Sequence, residues 1–131
     1  MSIKEDSKIS FINGSENVKI KQYFDPKNTS NGINYSLAQF SLEVGQKTKL
    51  HKIKSSEIYY ILEGNGKLKI NNEKFELKKN DSAYVPPNSE QFLENIGSEK
   101  LRFGRGWAVF WTSWRILWAS FGCFWASCRN M

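Results

Sequence analysis

The sequence predicts an all-β fold, a jelly-roll-type antiparallel barrel, and three observations carry that expectation. Short β-rich runs follow one another through residues 1–103: KISFI, VKIKQYF, INYSLAQFSLEV, KLHKI, EIYYIL, GKLKI, KFEL, SAYV, EQFLEN and KLRF. Turn signals separate them: NG at 13–14, DPKNTSNG at 25–32, EGNG at 63–66, NN at 71–72, KND at 79–81 and PPNS at 86–89. No helical period shows over the same span, and many short strands of this kind close into sandwiches or barrels. With 131 residues the chain can bury one substantial core, not two.

Taken in order, the strand runs justify themselves by alternation and punctuation. Lysines are spread singly through KIKQY, KTKLHKIK and KLKINNEK. Alternating Lys marks a solvated strand face and protects sheet edges from pairing with other chains. IYYIL reads as a buried strand. Because successive side chains of a strand point to opposite faces, Glu57, Tyr59 and Ile61 share one face, and Ile58, Tyr60 and Leu62 take the other. INNEKFEL is a hairpin turning at Asn71-Asn72, with Leu68 and Ile70 before the turn and Phe75 and Leu77 after it. In the last runs Gln91, Leu93 and Asn95 share a face.

One stretch carries chemistry. Gly45 to Gly64 reads GQKTKLHKIKSSEIYYILEG, and it contains His51, the single histidine of the chain. Glu57 follows six positions later, after a short polar turn. Imidazole and carboxylate suit the same first-row divalent ions, so a strand–turn–strand unit that joins them makes half of a metal site. If Glu57 points into the barrel, Tyr59 lies beside it and can orient a polar ligand. A satisfied core tyrosine and a structural histidine are the plainer readings of the same residues.

These residues resemble the first motif of the cupins, G-x5-H-x-H-x3–4-E-x6-G, at residues 45–64. Gly45, His51, Glu57 and Gly64 match, and Ile53 stands where the second His belongs. The second motif, G-x5-P-x-G-x2-H-x3-N, lies on residues 80–95, NDSAYVPPNSEQFLEN. Pro86 and Asn95 match. Asn80 and Asn88 replace the two glycines and can keep the turns, since Asn tolerates φ > 0. Gln91 replaces the histidine. The resemblance implies a double-stranded β-helix. It also implies a divalent ion (Mn, Fe, Ni or Zn) held by His51, Glu57 and the weaker amide oxygen of Gln91, with Tyr59 beside a small oxygenated ligand. Two functions follow from different classes: a metal-dependent enzyme, or a non-catalytic binding or sensing barrel whose pocket outlived the metal. Ile53 and Gln91 favour the second, and His51 and Glu57 in full register favour the first. The N-terminal strands, as in similar cupins, imply pairing with a partner's sheet and a homodimer.

Composition bounds the remainder. The formal net charge is +6, yet no basic helix and no basic–aromatic platform appears, so nucleic acid is not an expected partner. MSIKEDSKIS has no apolar core of a secretory signal, and the charge pattern suits a reducing cytoplasm. After Phe103 the chain changes character. Residues 104–131 contain all five Trp and both Cys, and no Lys, Asp, Glu or Tyr. The leading reading is an out-of-frame or foreign tail on a barrel that ends at 103. Trp107, Trp111, Trp114, Trp118, Phe121 and Trp125 also fall on a helical seam. A membrane span is disfavoured, because Arg115 sits near its middle and Trp prefers the interfaces. Cys123 and Cys128 read as incidental.

Overall fold

The computed structural model describes residues 3–14, 18–29 and 33–108. Among the described residues nine strands follow a 3₁₀ turn at Asp6–Lys8: β1 Ile12–Asn13, β2 Val18–Phe24, β3 Tyr35–Leu42, β4 Glu57–Glu63, β5 Asn65–Ile70, β6 Glu73–Lys78, β7 Ser82–Val85, β8 Gln91–Asn95 and β9 Leu101–Ala108. They form a six-stranded sheet in the order β1-β2-β3-β9-β4-β7 and a three-stranded sheet in the order β6-β5-β8. Every pairing is antiparallel.

Between the sheets lie Leu42, Tyr59, Ile61, Leu68, Val85, Leu93, Leu101 and Phe103, all fully buried. The alternation expected of β4 is present: Glu57, Tyr59 and Ile61 face in, while Ile58 and Tyr60 face out. β8 likewise buries Gln91, Leu93 and Asn95. The β5–β6 hairpin pairs Ile70 with Glu73 across Asn71-Asn72 and sets Leu68 opposite Phe75.

Turn chemistry explains where strands stop. Among the described residues, positive φ is found at Gly45, Gly64, Asn71, Asn80 and Asn88, with φ of 80°, 91°, 53°, 74° and 60°. Asn80 and Asn88 thus hold the left-handed backbone that the two motif glycines would otherwise supply. At Gly64 a Cβ would lie 2.9 Å from the Lys100 carbonyl oxygen, so this turn needs glycine twice over. Asn95 ties the end of β8 together. Its amide donates to the carbonyls of Leu42 (3.0 Å) and Glu99 (2.9 Å), and its oxygen accepts from Gly97 N–H (2.9 Å).

Three expectations are corrected. KISFI is not a strand: only Ile12 of that run is in β1, and Asp6–Lys8 form the 3₁₀ turn. The cause is Asp6, whose carboxylate accepts hydrogen bonds from Tyr23 Oη (2.6 Å) and Lys21 Nζ (3.0 Å) and folds the N-terminal arm over the outer face of β2. KLHKI makes a single bridge, His51 to Gln91, and Lys47 just before it another, to Glu94, rather than a continuous ladder. Between them Leu93 N–H goes to the Thr48 hydroxyl at 2.9 Å, so a side chain takes the place of a backbone acceptor. Finally, the barrel does not end at Phe103. β9 runs to Ala108, paired with β3 on one side and β4 on the other. Backbone ladders are indifferent to the change in composition that marked a boundary at 103–104. Residues 109–131, including both cysteines and the rest of the Trp seam, lie outside the described residues, as does any reading of their origin. Among the described residues no helix is long and apolar enough to cross a membrane.

Candidate functional site

β4 and β9 lie side by side with Glu57 opposite Trp107 and Tyr59 opposite Arg105. Alternation therefore points Glu57, Tyr59, Arg105 and Trp107 into the barrel. His51 reaches the same place from the bridging segment. Its backbone exchanges both hydrogen bonds with Gln91 (N–H to Gln91 O 3.0 Å, and Gln91 N–H to His51 O 2.9 Å). Its Nδ1 lies 3.0 Å from the Lys49 carbonyl, which orients the ring and leaves Nε2 facing Glu57 Oε1 at 3.3 Å.

The centre of the site is an ion pair. Arg105 donates from Nε (2.7 Å) and Nη2 to Glu57 Oε2, and Nη2 also lies 3.4 Å from His51 Nε2. The guanidinium is packed among three rings, 4.9 Å from the centre of Phe40, 5.0 Å from Trp107 and 5.4 Å from Tyr59. Cation–π contacts of this kind favour Arg in a desolvated setting. Phe40 and Tyr59 stack in turn on Phe103, at 5.4 and 5.8 Å. Burial pushes the Glu57 carboxyl up. The hydrogen bond from His51 and the charge and hydrogen bonds of Arg105 outweigh it and hold the group below the ordinary carboxylate range.

The sequence-predicted residues are brought together unequally. His51 and Glu57 converge as expected. Gln91 is fully buried nearby, but its Oε1 accepts from Tyr59 Oη at 2.6 Å, so the amide oxygen assigned to a metal is spent on a neighbour. Tyr59 is a core residue with a satisfied hydroxyl, and it lies under the site instead of lining its mouth. Burial, partly offset by Arg105, raises its hydroxyl well above the ordinary tyrosine range. Arg105 was missed because it falls two residues beyond the boundary drawn at 103. The signal was present: Leu101, Phe103, Arg105 and Trp107 continue a strict inward alternation, and an Arg at an inward position among aromatics marks a charge partner inside.

A cavity of about 320 Å³ opens beside the ion pair. Val18, Ile20, Phe40 and Trp107 supply its apolar lining, and Gln22, Thr48, Lys49, His51 and Arg105 its polar lining. Among the described residues no acidic side chain lines it. Arg105 Nη1 has no hydrogen-bond partner among the described residues.

These residues do not fit a resident divalent ion. Only His51 and Glu57 are strong ligands. Ile53 offers no donor atom, and Gln91 faces Tyr59. Among the described residues no group of three or more His, Cys, Asp or Glu converges. The Arg105 guanidinium occupies Glu57 Oε2 and lies 3.4 Å from His51 Nε2, where an ion shared by the two would sit.

Comparison with known proteins agrees with the architecture. Residues 38–111 match the family model described as a cupin domain. An uncharacterized protein of Methanocaldococcus jannaschii is 48% identical over 84 residues, which span 63% of this chain and 66%, just under two thirds, of that relative. Among solved structures, a predicted oxalate decarboxylase from Thermotoga maritima superposes with a TM-score of 0.74 at 23% identity, covering 83% of this chain and all of the other. KdgF from Halomonas sp. does so with a TM-score of 0.69 at 13% identity, over 82% and 94% of the two chains. At such identities the structural likeness is one of fold. A two-sheet antiparallel barrel, both motif turns in register and a family match over more than half of the sequence lead to one conclusion: this chain belongs to the cupin family.

Proposed function

We propose that this cupin is a metal-free binding barrel for a small organic acid, with Arg105 in the role of the family's resident cation. The observation that carries this reading is the Arg105 guanidinium seated on Glu57 and His51. A charge-neutral pair replaces the metal. The remaining Nη1 donors of Arg105 can meet a carboxylate in the cavity that Arg105 lines. Val18, Ile20, Phe40 and Trp107, the last two against Arg105, suit a flat apolar body, and about 320 Å³ stands at the lower end of small-molecule sites. Glu57 then serves to position Arg105, not to meet the ligand.

A second reading, a metal-dependent enzyme acting on a small oxygenated substrate, is favoured by the 3.3 Å approach of His51 Nε2 to Glu57 Oε1. The two readings separate by elemental analysis of protein purified without chelator, combined with titration of benzoate and neutral benzamide. The binding barrel holds far less than one metal per chain and prefers benzoate by about 10–100-fold, the worth of one charge-assisted hydrogen bond of about 1.5–3 kcal/mol. Stoichiometric metal, or equal affinity for the two probes, overturns it.

A further inference from the structure

Two uncharged side chains of the cavity keep hydrogen-bonding capacity that no group among the described residues uses. The first is Gln22. Val18, Ile20 and Gln22 alternate along β2, share its inward face and line the cavity. After Gln22 the ladder slips: Gln22 pairs with Ala38 and Phe24 with Leu37, so Tyr23 is the extra residue of a bulge. The Gln22 amide reaches over that bulge, and its Nε2 donates to the Phe24 carbonyl at 3.0 Å. A carbonyl accepts and cannot donate, so this contact fixes which end of the amide carries the nitrogen. Oε1 is left as an acceptor with no partner among the described residues.

The second is Thr48. It is 9% exposed, and its Oγ1 accepts from Leu93 N–H at 2.9 Å. Its own O–H has no acceptor among the described residues. A buried donor left in that state is costly, and an oxygen bound in the cavity that Thr48 lines relieves it.

The register relates Gln22 to Arg105. Gln22 pairs with Ala38 and Ala38 with Arg105, in one row across β2, β3 and β9. Two strand spacings, roughly 10 Å, separate the two backbones. Ala38 between them is the smallest residue on the inward face of β3, beside Ser36, Phe40 and Leu42. A larger side chain at that position would fill the space between Gln22 and Arg105.

We propose that Gln22 sets the specificity of the cavity by accepting a hydrogen bond from the ligand, so that the preferred acid has a hydroxyl group at the end remote from its carboxylate. This rests on the binding-barrel reading above. The carboxylate meets Arg105, the ring meets the apolar lining, and the hydroxyl donates to Gln22 Oε1. A benzene ring substituted at both ends suits side chains that lean in from strands this far apart. An acid without the donor sets carbon against Oε1, which then loses the water it would otherwise hold.

The test is calorimetric titration of the full chain with 4-hydroxybenzoate, 4-methylbenzoate and 4-methoxybenzoate. The methyl group is close to the hydroxyl in size and has no polar atom; the methoxy group keeps an acceptor oxygen and loses the donor. The parent binds 4-hydroxybenzoate about tenfold more tightly than either of the others. Gln22→Met keeps the length of the side chain and removes the acceptor. In it the preference falls below about twofold, while 4-methylbenzoate binds as in the parent. Circular dichroism checks that the variant is folded; Gln22→Leu takes its place if it is not, and the preference of the parent is read without any variant. Equal binding of the three acids by the parent overturns the proposal and leaves the preference for benzoate over benzamide, and with it the binding-barrel reading, standing. Hydroxy and methoxy acids bound alike and above the methyl acid also overturn it, since the ligand oxygen then accepts instead of donating. A folded Gln22 variant that weakens all three acids equally assigns Gln22 to the bulge alone and overturns it as well. Failure to bind any of the acids overturns both readings.

Discussion

Replacing Arg105 with Met tests the central electrostatic argument. Met keeps an unbranched apolar stem against Phe40, Tyr59 and Trp107 and removes the charge. The Glu57 side chain is 0% exposed and that of Arg105 14%, so the pair is shielded from water. Removing one partner of such a pair leaves an uncompensated buried carboxylate and costs about 3–5 kcal/mol at neutral pH. For a chain of this size that lowers Tm by about 10–20 °C. The pH dependence supplies the sign. In the parent, Glu57 titrates below its ordinary value of 4.5. The stability it contributes is present above 4.5 and is lost as pH falls through the lower folded value. In the variant the charge and hydrogen bonds of Arg105 are gone, and the folded value rises relative to the parent's. The variant therefore takes up the Glu57 proton at a higher pH than the parent, and the stability gap between the two narrows as pH falls from 7 toward 5. Urea unfolding from pH 5 to 8 reads both curves. A loss under about 1 kcal/mol at pH 7, or a variant curve parallel to the parent's, refutes the reasoning. Adding Glu57→Gln to Arg105→Met should recover part of the loss, because the orphaned charge goes with it.

Other consequences follow from the same geometry. Combining Arg105→Gly with Ile53→His and Gln91→His should convert the site to one that retains Zn or Mn through gel filtration, measured by elemental analysis; no gain in metal over the parent counts against the assignment of Arg105 as the resident cation. Asn88→Gly should be neutral within about 0.5 kcal/mol, whereas Asn88→Val, forced to φ near 60°, should cost about 1–2 kcal/mol by thermal unfolding. Asn95→Ala strands the carbonyls of Leu42 and Glu99 and the N–H of Gly97, and should cost about 2–4 kcal/mol, with faster amide exchange at Gly97 as its local signature. Light scattering at micromolar concentrations tests the expected homodimer; the N-terminal strands β1 and β2 hold the sheet edge available for it, and a monomer is the contrary result.

The sequence by itself determined the features whose causes are local. Inward and outward faces of β4 and β8 follow from the two-residue period. The places where the backbone turns left-handed follow from Gly45, Gly64, Asn71, Asn80 and Asn88, because the steric cost of positive φ is a property of the residue itself. The approach of His51 to Glu57 was legible too, since a short turn and a fixed spacing join them. What only the tertiary structure decided depends on pairings between distant segments. Arg105 meets Glu57 across 48 positions of sequence because β9 inserts between β3 and β4, and neither strand carries a local mark of that insertion. Gln91 is withdrawn from the site by Tyr59, 32 residues away. Asp6 bends a β-prone run into an arm because Lys21 and Tyr23 wait on the neighbouring strand. The composition break at 103–104 misplaced the end of the barrel for the same reason. Strand pairing is made by backbone hydrogen bonds, and these continue to Ala108 through a stretch whose side chains had changed character.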